Sequence, residues 1–303
     1  MEQFSGIVAV VTGSGSGLGR AMAERFAREG MTVVVADRRL DAAEETVVAI
    51  AAAGGKGVAV EVDVADADAV QALAARVDAE FGGAQVLVNN AGVVSYTPLL
   101  EDERANWRWI VDVNLFGVVH GLQAFLPGML ARGEPGHVVN VSSMGGIVGG
   151  GGVKGNRVTL GDGTAGANVM YGYMATKAAV VAVTEAFAGD LSGSPIGISV
   201  LCPSHHENTN IWENSKLHRP AAAGGPMSEG EFTAVAGDTD VKRAATFGSE
   251  RKERDAAECA ERVLRAIRER HFYVFTHPET RRAIEFRCSN LMAGFDDAAA
   301  FDD

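Results

Sequence analysis

The stretch "IVAVVTGSGSGLGRAMAERFAREGMTVVVAD" (residues 7–37) decides the fold. Its first part, "IVAVVTG" (7–13), is a strand-length run of apolar residues with no polar alternation, so both of its faces must be covered. "RAMAERFAREG" (20–30) repeats apolar residues at helical spacing and stops at Gly30. "TVVVAD" (32–37) is a second apolar strand. Two such strands joined by an amphipathic helix form a βαβ unit, whose strands run parallel.

The same alternation continues outward. A helix over "LDAAEETVVAIAAAGG" (40–55) leads to the strand "GVAVEVDV" (57–64), and "DADAVQALAARVDAEFG" (66–82) leads to "AQVLVNNAG" (84–92). A long helix around 103–131 precedes "GHVVNVSS" (136–143), and "IGISVLCPS" (196–204) follows. "ERVLRAIRERHFYVFTHPE" (261–279) reads as a helix entering a seventh strand, "FYVFT". The expected fold is α/β: a Rossmann-type doubly wound parallel sheet of about seven strands in one domain, 1–303. Two stretches break the rhythm. Residues 144–169 are glycine-rich, with "NRVTL-GDG-TA" expected as a short hairpin around GDG, and 205–255 are polar with scattered Gly and Pro. Both are expected to serve as loops beside the substrate, with a C-terminal helix and strand over 256–295.

Composition narrows the function. Hydrophobic residues make up 47% and charged residues 22% of 303, as in a globular protein with a sizeable core. The formal charge of −12 disfavours nucleic acid and anionic membrane surfaces as partners. Cys202, Cys259 and Cys288 have neither metal-ligand nor disulfide-framework spacing. The start, "MEQFSGIVAVVTG", shows no basic leader, and no apolar run approaches the length expected of a membrane span. A cytoplasmic location is expected. "HHE" (205–207) is adjacent in sequence, so its side chains diverge and no metal site is expected; Trp107 and Trp109 are expected to pack on the long helix.

The glycine loop points to a dinucleotide. "TGSGSGLG" (12–19) fails the G-x-G-x-x-G pattern but fits G-x-x-x-G-x-G through Gly13, Gly17 and Gly19. Residues without side chains let the backbone turn and approach a pyrophosphate, which then rests on a helix N-terminus. Ser16 and Leu18 complete the expected binding loop. Asp37 closes the second strand, where a carboxylate accepts hydrogen bonds from a ribose 2′-OH and repels a 2′-phosphate, so NAD is expected over NADP. Arg38 follows and is available to a phosphate. Asp63, with Val64 beside it, is placed to meet the adenine.

"MYGYMATKAAV" (170–180) supplies the chemistry. Tyr173 lies four residues before Lys177 and shares its helix face, whereas Tyr171 does not. A free phenol titrates near ~10. A neighbouring ammonium is expected to lower that value towards the range useful for taking a proton from an alcohol.

Taken together, "TGSGSGLG" (12–19), "NNAG" (89–92), "VNLFG" (113–117), "VNVSS" (139–143), "YMATK" (173–177) and "CPS…TN" (202–210) resemble the short-chain dehydrogenase/reductase family over about residues 5–215. The resemblance implies Tyr173 as general acid/base, Lys177 as its tuning group and ribose holder, Ser143 on the reacting oxygen, and Asn114 anchoring a proton relay. It also implies that Asn90, Ala91 and Gly92 line the nucleotide site, that Pro203, Ser204 and Thr209 flank the nicotinamide, and that the chain forms a homodimer or homotetramer. Ser142 rivals Ser143. Ser143 and Tyr173 are 30 residues apart, more than the family's usual dozen, and "PS" replaces its "PG" at 203–204. "TNIWENSKLHRP" (209–220) and "FYVFTHPE" are similar to bacterial dehydrogenases of the benzylic alcohol in lignin-type aryl ethers. That likeness implies a bulky secondary alcohol, aromatic ones included, and its ketone as the small-molecule pair, with hydroxysteroids or cyclic alcohols as the alternative. A catalytically silent nucleotide-binding regulator and a nucleotide-sugar epimerase or dehydratase are the competing readings.

Overall fold

The computed structural model describes residues 3–95, 104–148, 152–154, 157–159, 170–206, 209, 211–226 and 254–299. Strand β1 (Val8–Thr12) is buried along its whole length and leads into helix α1 (Gly17–Arg28). Then come β2 (Thr32–Asp37), α2 (Leu40–Ala52), β3 (Lys56–Glu61), α3 (Ala67–Phe81) and β4 (Val86–Asn89). Helix α4 (Arg104–Val111) passes through a π-helical turn (Asp112–Phe116) into α5 (Gly117–Arg132), followed by β5 (Gly136–Val141) and the short α6 (Met144–Val148). Beyond them lie β6 (Gly152–Lys154), β7 (Arg157–Thr159), α7 (Tyr171–Asp190), β8 (Ile196–Cys202), α8 (Ile211–Leu217), α9 (Ala256–Glu269), β9 (Tyr273–Phe275) and α10 (Arg281–Ala299).

Seven of these strands form one parallel sheet in the order β3-β2-β1-β4-β5-β8-β9, with Val10 paired to Val34 on one side and Leu87 on the other. The apolar runs are buried on both faces because helices cover both. Met22, Phe26, Val263 and Ile267 fill one layer; Leu73, Val77, Leu122 and Phe125 fill the other. The chain reverses direction across the sheet between β1 and β4, which opens a crevice at their carboxyl ends.

Local signals set the ends of the helices that frame this crevice. Asp66 caps α3 by accepting the N–H groups of Asp68 and Ala69 at 2.9 and 3.2 Å, and Gly82 ends it at φ 76°. β6 and β7 pair antiparallel with Lys154 opposite Arg157, so Arg157–Thr159, expected as the first arm of a hairpin around GDG, is paired with the strand before it. The rest of that expected hairpin lies outside the described residues, as does most of 205–255. The long helix is interrupted by its π-helical turn, which periodicity did not show. Taken whole, Arg104–Arg132 is long and apolar enough to meet the composition of a membrane span, yet half of that apolar window is buried within the fold.

Candidate active site

The cofactor cradle forms where β1 ends. Gly13 adopts φ 63°, and a Cβ there would stand 2.7 Å from the Cα of Ala91; one on Gly19 would overlap the carbonyl of Gly13. Only glycine lets these segments approach. Thr12 and Asn90 lock them together. The Thr12 hydroxyl accepts the N–H groups of Asn90 and Ala91 at 3.0 and 3.2 Å, and the Asn90 amide donates to the carbonyls of Thr12 and Gly13 at 2.8 and 3.0 Å. Ser16 stands at the N-cap of α1 without bonding the helix's N–H groups, so the helix end faces the crevice with its donors uncapped by that side chain. At the end of β2, Asp37 accepts Gly15 N–H at 2.8 Å and Arg39 N–H at 3.0 Å. A cradle that excludes side chains, a helix N-terminus and a carboxylate beyond them fit a dinucleotide.

The other expected contacts vary. The Asp63 carboxylate is exposed and accepts Ala65 N–H at 3.0 Å; Val64 is buried, with its carbonyl 2.9 Å from His120 Nδ1. Arg38 is exposed and donates to the His218 carbonyl at 3.5 Å. Pro203 accepts Met144 N–H at 2.9 Å, Ser204 N–H donates to Thr276, and the Thr209 hydroxyl donates to the His206 carbonyl at 3.0 Å. Helix α8 lies across the crevice. Asn214 donates to Ser16 Oγ at 3.1 Å, and Ser215 Oγ accepts Val94 N–H at 2.9 Å. Nothing in the sequence singled out these two residues beyond their place in "TNIWENSKL".

The reacting end is built on α7, β5 and the π-helical turn. Tyr173 and Lys177 share one face of α7, and Lys177 Nζ stands 5.8 Å from the Tyr173 ring centroid. That ammonium donates to the Val141 carbonyl at 2.8 Å. Ser143 is hydrogen-bonded to the Tyr173 hydroxyl and accepts Gly145 N–H at 3.1 Å. Its rival, Ser142, instead donates to the Lys177 carbonyl at 2.7 Å, tying α7 to the end of β5. Asn114 is fully buried in the π-helical turn, a deformation often found at functional sites. Its amide accepts Val93 N–H at 2.8 Å and donates to the Val93 carbonyl at 2.9 Å and to Thr176 at 3.2 Å. A Cβ added at Gly92 would lie 3.3 Å from both Asn114 Oδ1 and Lys177 Nζ. Three stretches remote in sequence thus converge beside the crevice.

The electrostatics correct one expectation. Burial pushes the Tyr173 phenol above its ordinary value, an effect that outweighs the lowering by its bond to Ser143. Burial also lowers Lys177 to about 8. In this structure, desolvation of the phenolate exceeds the help expected from the ammonium, which is committed to Val141. Cys202, pushed to about 12, is a buried neutral thiol hydrogen-bonded to Ser142. His206 is buried edge-on against His277, ring centroids 5.0 Å apart, and no metal-type cluster of three occurs among the described residues. Trp109 is buried with Ile110 and Ala223, as packing on the long helix requires.

A Ser–Tyr–Lys constellation beside a glycine cradle at the switch point of a doubly wound sheet defines a short-chain oxidoreductase. The comparisons agree. The family model described as short chain dehydrogenase matches residues 7–155. The chain is 32% identical to the "C alpha-dehydrogenase" of Sphingobium sp. (strain NBRC 103272 / SYK-6), over 94% of this chain and 85% of that protein. It is 35% identical to the "1-deoxy-11-beta-hydroxypentalenate dehydrogenase" of Streptomyces exfoliatus, over 73% and 74%. Among solved structures, a short chain dehydrogenase/reductase from Burkholderia phymatum in complex with NAD superposes with a TM-score of 0.81 at 34% identity, covering 97% of both chains. The chain belongs to the short-chain dehydrogenase/reductase family.

Proposed function

We propose that the protein is an NAD-dependent dehydrogenase that interconverts a bulky secondary alcohol and its ketone. The observation that carries this reading is the surroundings of the Tyr173 ring, which is half-buried against Val94, Met170, Ile211 and Trp212 while its hydroxyl is held by Ser143. An apolar wall with one polar focus suits a large hydrophobic carbinol, aromatic ones included. Two relatives bear the names of dehydrogenases of a Cα position and of a hydroxypentalenate, both compatible with such a substrate. Asp37 at the ribose end favours NAD over NADP, and the relative from Burkholderia phymatum was crystallised with NAD. The same reading places the enzyme in the cytoplasm as a homo-oligomer of single-domain chains, with 144–169 and 205–255 framing the substrate.

When bound, NAD supplies the hydride acceptor in oxidation and the donor in reduction. The glycine loop would hold its pyrophosphate region, with Asn90 lining the nucleotide site, Asp37 would hold its adenosine ribose, and Lys177 with Thr209 its nicotinamide end. In oxidation the Tyr173 oxygen takes the proton of the alcohol hydroxyl as the carbinol C–H bond breaks; in reduction it returns that proton to the ketone oxygen. Ser143 donates to the reacting oxygen and fixes it beside the phenol. Lys177 stabilises the phenolate, and Asn114 anchors the relay that restores the proton.

A panel of aromatic and alicyclic secondary alcohols, assayed by NADH absorbance with NAD and with NADP, tests the reading. Turnover is expected with bulky members and NAD, and Asp37→Ala is expected to shift preference towards NADP. Turnover restricted to small primary alcohols, or an unchanged cofactor preference, would contradict it.

A further inference from the structure

Helix α10 packs against α6 and β6, and its distal half presents exposed side chains. Ile284 packs with Met144, Val200 and Phe275, yet the described side chains from Leu291 onward are all exposed. Ile284, Cys288, Leu291 and Phe295 recur at intervals of four, three and four, the spacing of a two-helix seam. Leu291 is 53% exposed, Phe295 69%, and Met292 beside them 59%. A helical segment of this length holds its shape poorly in water unless its apolar face is covered.

The charges say what covers it. Arg281, Arg282 and Arg287 occupy the first half of α10, with Glu285 neutralised by Arg281 at 2.7 Å, whereas Asp296 and Asp297 occupy the second. A second α10 laid parallel would align like charges. Laid antiparallel, it sets the basic half of each copy against the acidic half of the other and opposes the two helix dipoles. The exposed part of the seam is symmetric about its centre, so Cys288 of one copy meets Leu291 of the other, with Phe295 of each at the outer end.

We propose that α10 is a self-association surface on which a second copy of this chain docks its own α10 antiparallel through Cys288, Leu291 and Phe295. The proposal is independent of the catalytic reading, because these residues lie outside the site. Light scattering on the full chain tests it. Leu291→Asp combined with Phe295→Asp is expected to halve the particle mass while circular dichroism stays unchanged; an unchanged mass would overturn the proposal. Leu291→Cys tests the register and leaves the rest of the seam in place. Diamide oxidation is expected to give a disulfide-linked dimer on a non-reducing gel, abolished by adding Cys288→Ser. Absence of that dimer, or its persistence without Cys288, would overturn the antiparallel arrangement.

Discussion

Lys177 touches Tyr173 through space and β5 through a bond: its Nζ lies 5.8 Å from the Tyr173 ring centroid and donates to the Val141 carbonyl at 2.8 Å. The cation is therefore fixed in place, and the cost of burying it appears in its own titration, lowered from 10.5 to about 8. Below pH 8 both folded and unfolded chains carry the proton, and the fold bears the full burial penalty. Between about 8 and 10.5 the folded chain has lost it while the unfolded chain keeps it, so the penalty is relieved as pH rises. Compared with Lys177→Met, the wild type is expected to gain stability from pH 7 to pH 10 by up to roughly 3 kcal/mol in urea unfolding. A difference that is flat or opposite in sign would contradict the assigned burial cost.

The two serines at the end of β5 separate structure from chemistry. Ser142→Ala removes the bond to the Lys177 carbonyl and is expected to cost about 1–2 kcal/mol of stability with most of kcat retained. Ser143→Ala removes the partner of the Tyr173 hydroxyl and is expected to lower kcat roughly 10²-fold with little change in melting temperature. Unfolding curves and steady-state kinetics on both variants check the division; reversed effects would exchange their roles.

Gly92→Ala probes the packing of the relay. The added methyl meets Asn114 Oδ1 and Lys177 Nζ at 3.3 Å, so one of them must give way. A fall in kcat of roughly 10-fold, with NADH affinity held within about twofold, is the expected result, because a displaced catalytic cation costs on the order of 1–2 kcal/mol in the transition state. Equal losses in kcat and affinity would place Gly92 in the cofactor cradle alone.

Asn214→Ala opens the contact between α8 and the glycine loop at Ser16. Loss of one such hydrogen bond, about 1 kcal/mol, is expected to weaken NADH binding roughly fivefold and speed its release. Fluorescence titration and stopped-flow displacement measure both; an unaltered release rate would detach α8 from cofactor retention.

Much of this architecture is legible in the sequence because buried parallel strands have no polar face to disguise them. "IVAVVTG", "TVVVAD" and "GHVVNVSS" appear as strands within two residues of their observed ends, and "FYVFT" contains the edge strand β9. Asp66 and Gly82 bracket α3 by ordinary capping chemistry. The π-helical turn was not legible, since one extra residue per turn does not disturb an apolar pattern read over a long helix. The pairing of β6 with β7 was not legible, since local turn chemistry at the glycines does not say which strands meet. At the site, Tyr173 and Lys177 declare themselves by spacing, but choosing between Ser142 and Ser143 depends on which way each points from a strand end. Thr12, Val141 and Thr176 act through contacts made only on folding. The direction of the Tyr173 shift is hidden for the same reason: sequence displays the neighbouring charge and conceals the burial that outweighs it.

The central claim is that the Tyr173 oxygen carries the proton of the reacting alcohol. Single-turnover oxidation of a responsive alcohol by Tyr173→Phe, with NADH affinity measured on the same preparation, tests it most directly. The rate is expected to fall by roughly 10³-fold while affinity stays within a few-fold, since the hydroxyl is lost and the ring that lines the pocket is kept. A variant that still oxidises the alcohol at more than about a tenth of the wild-type rate would contradict the account.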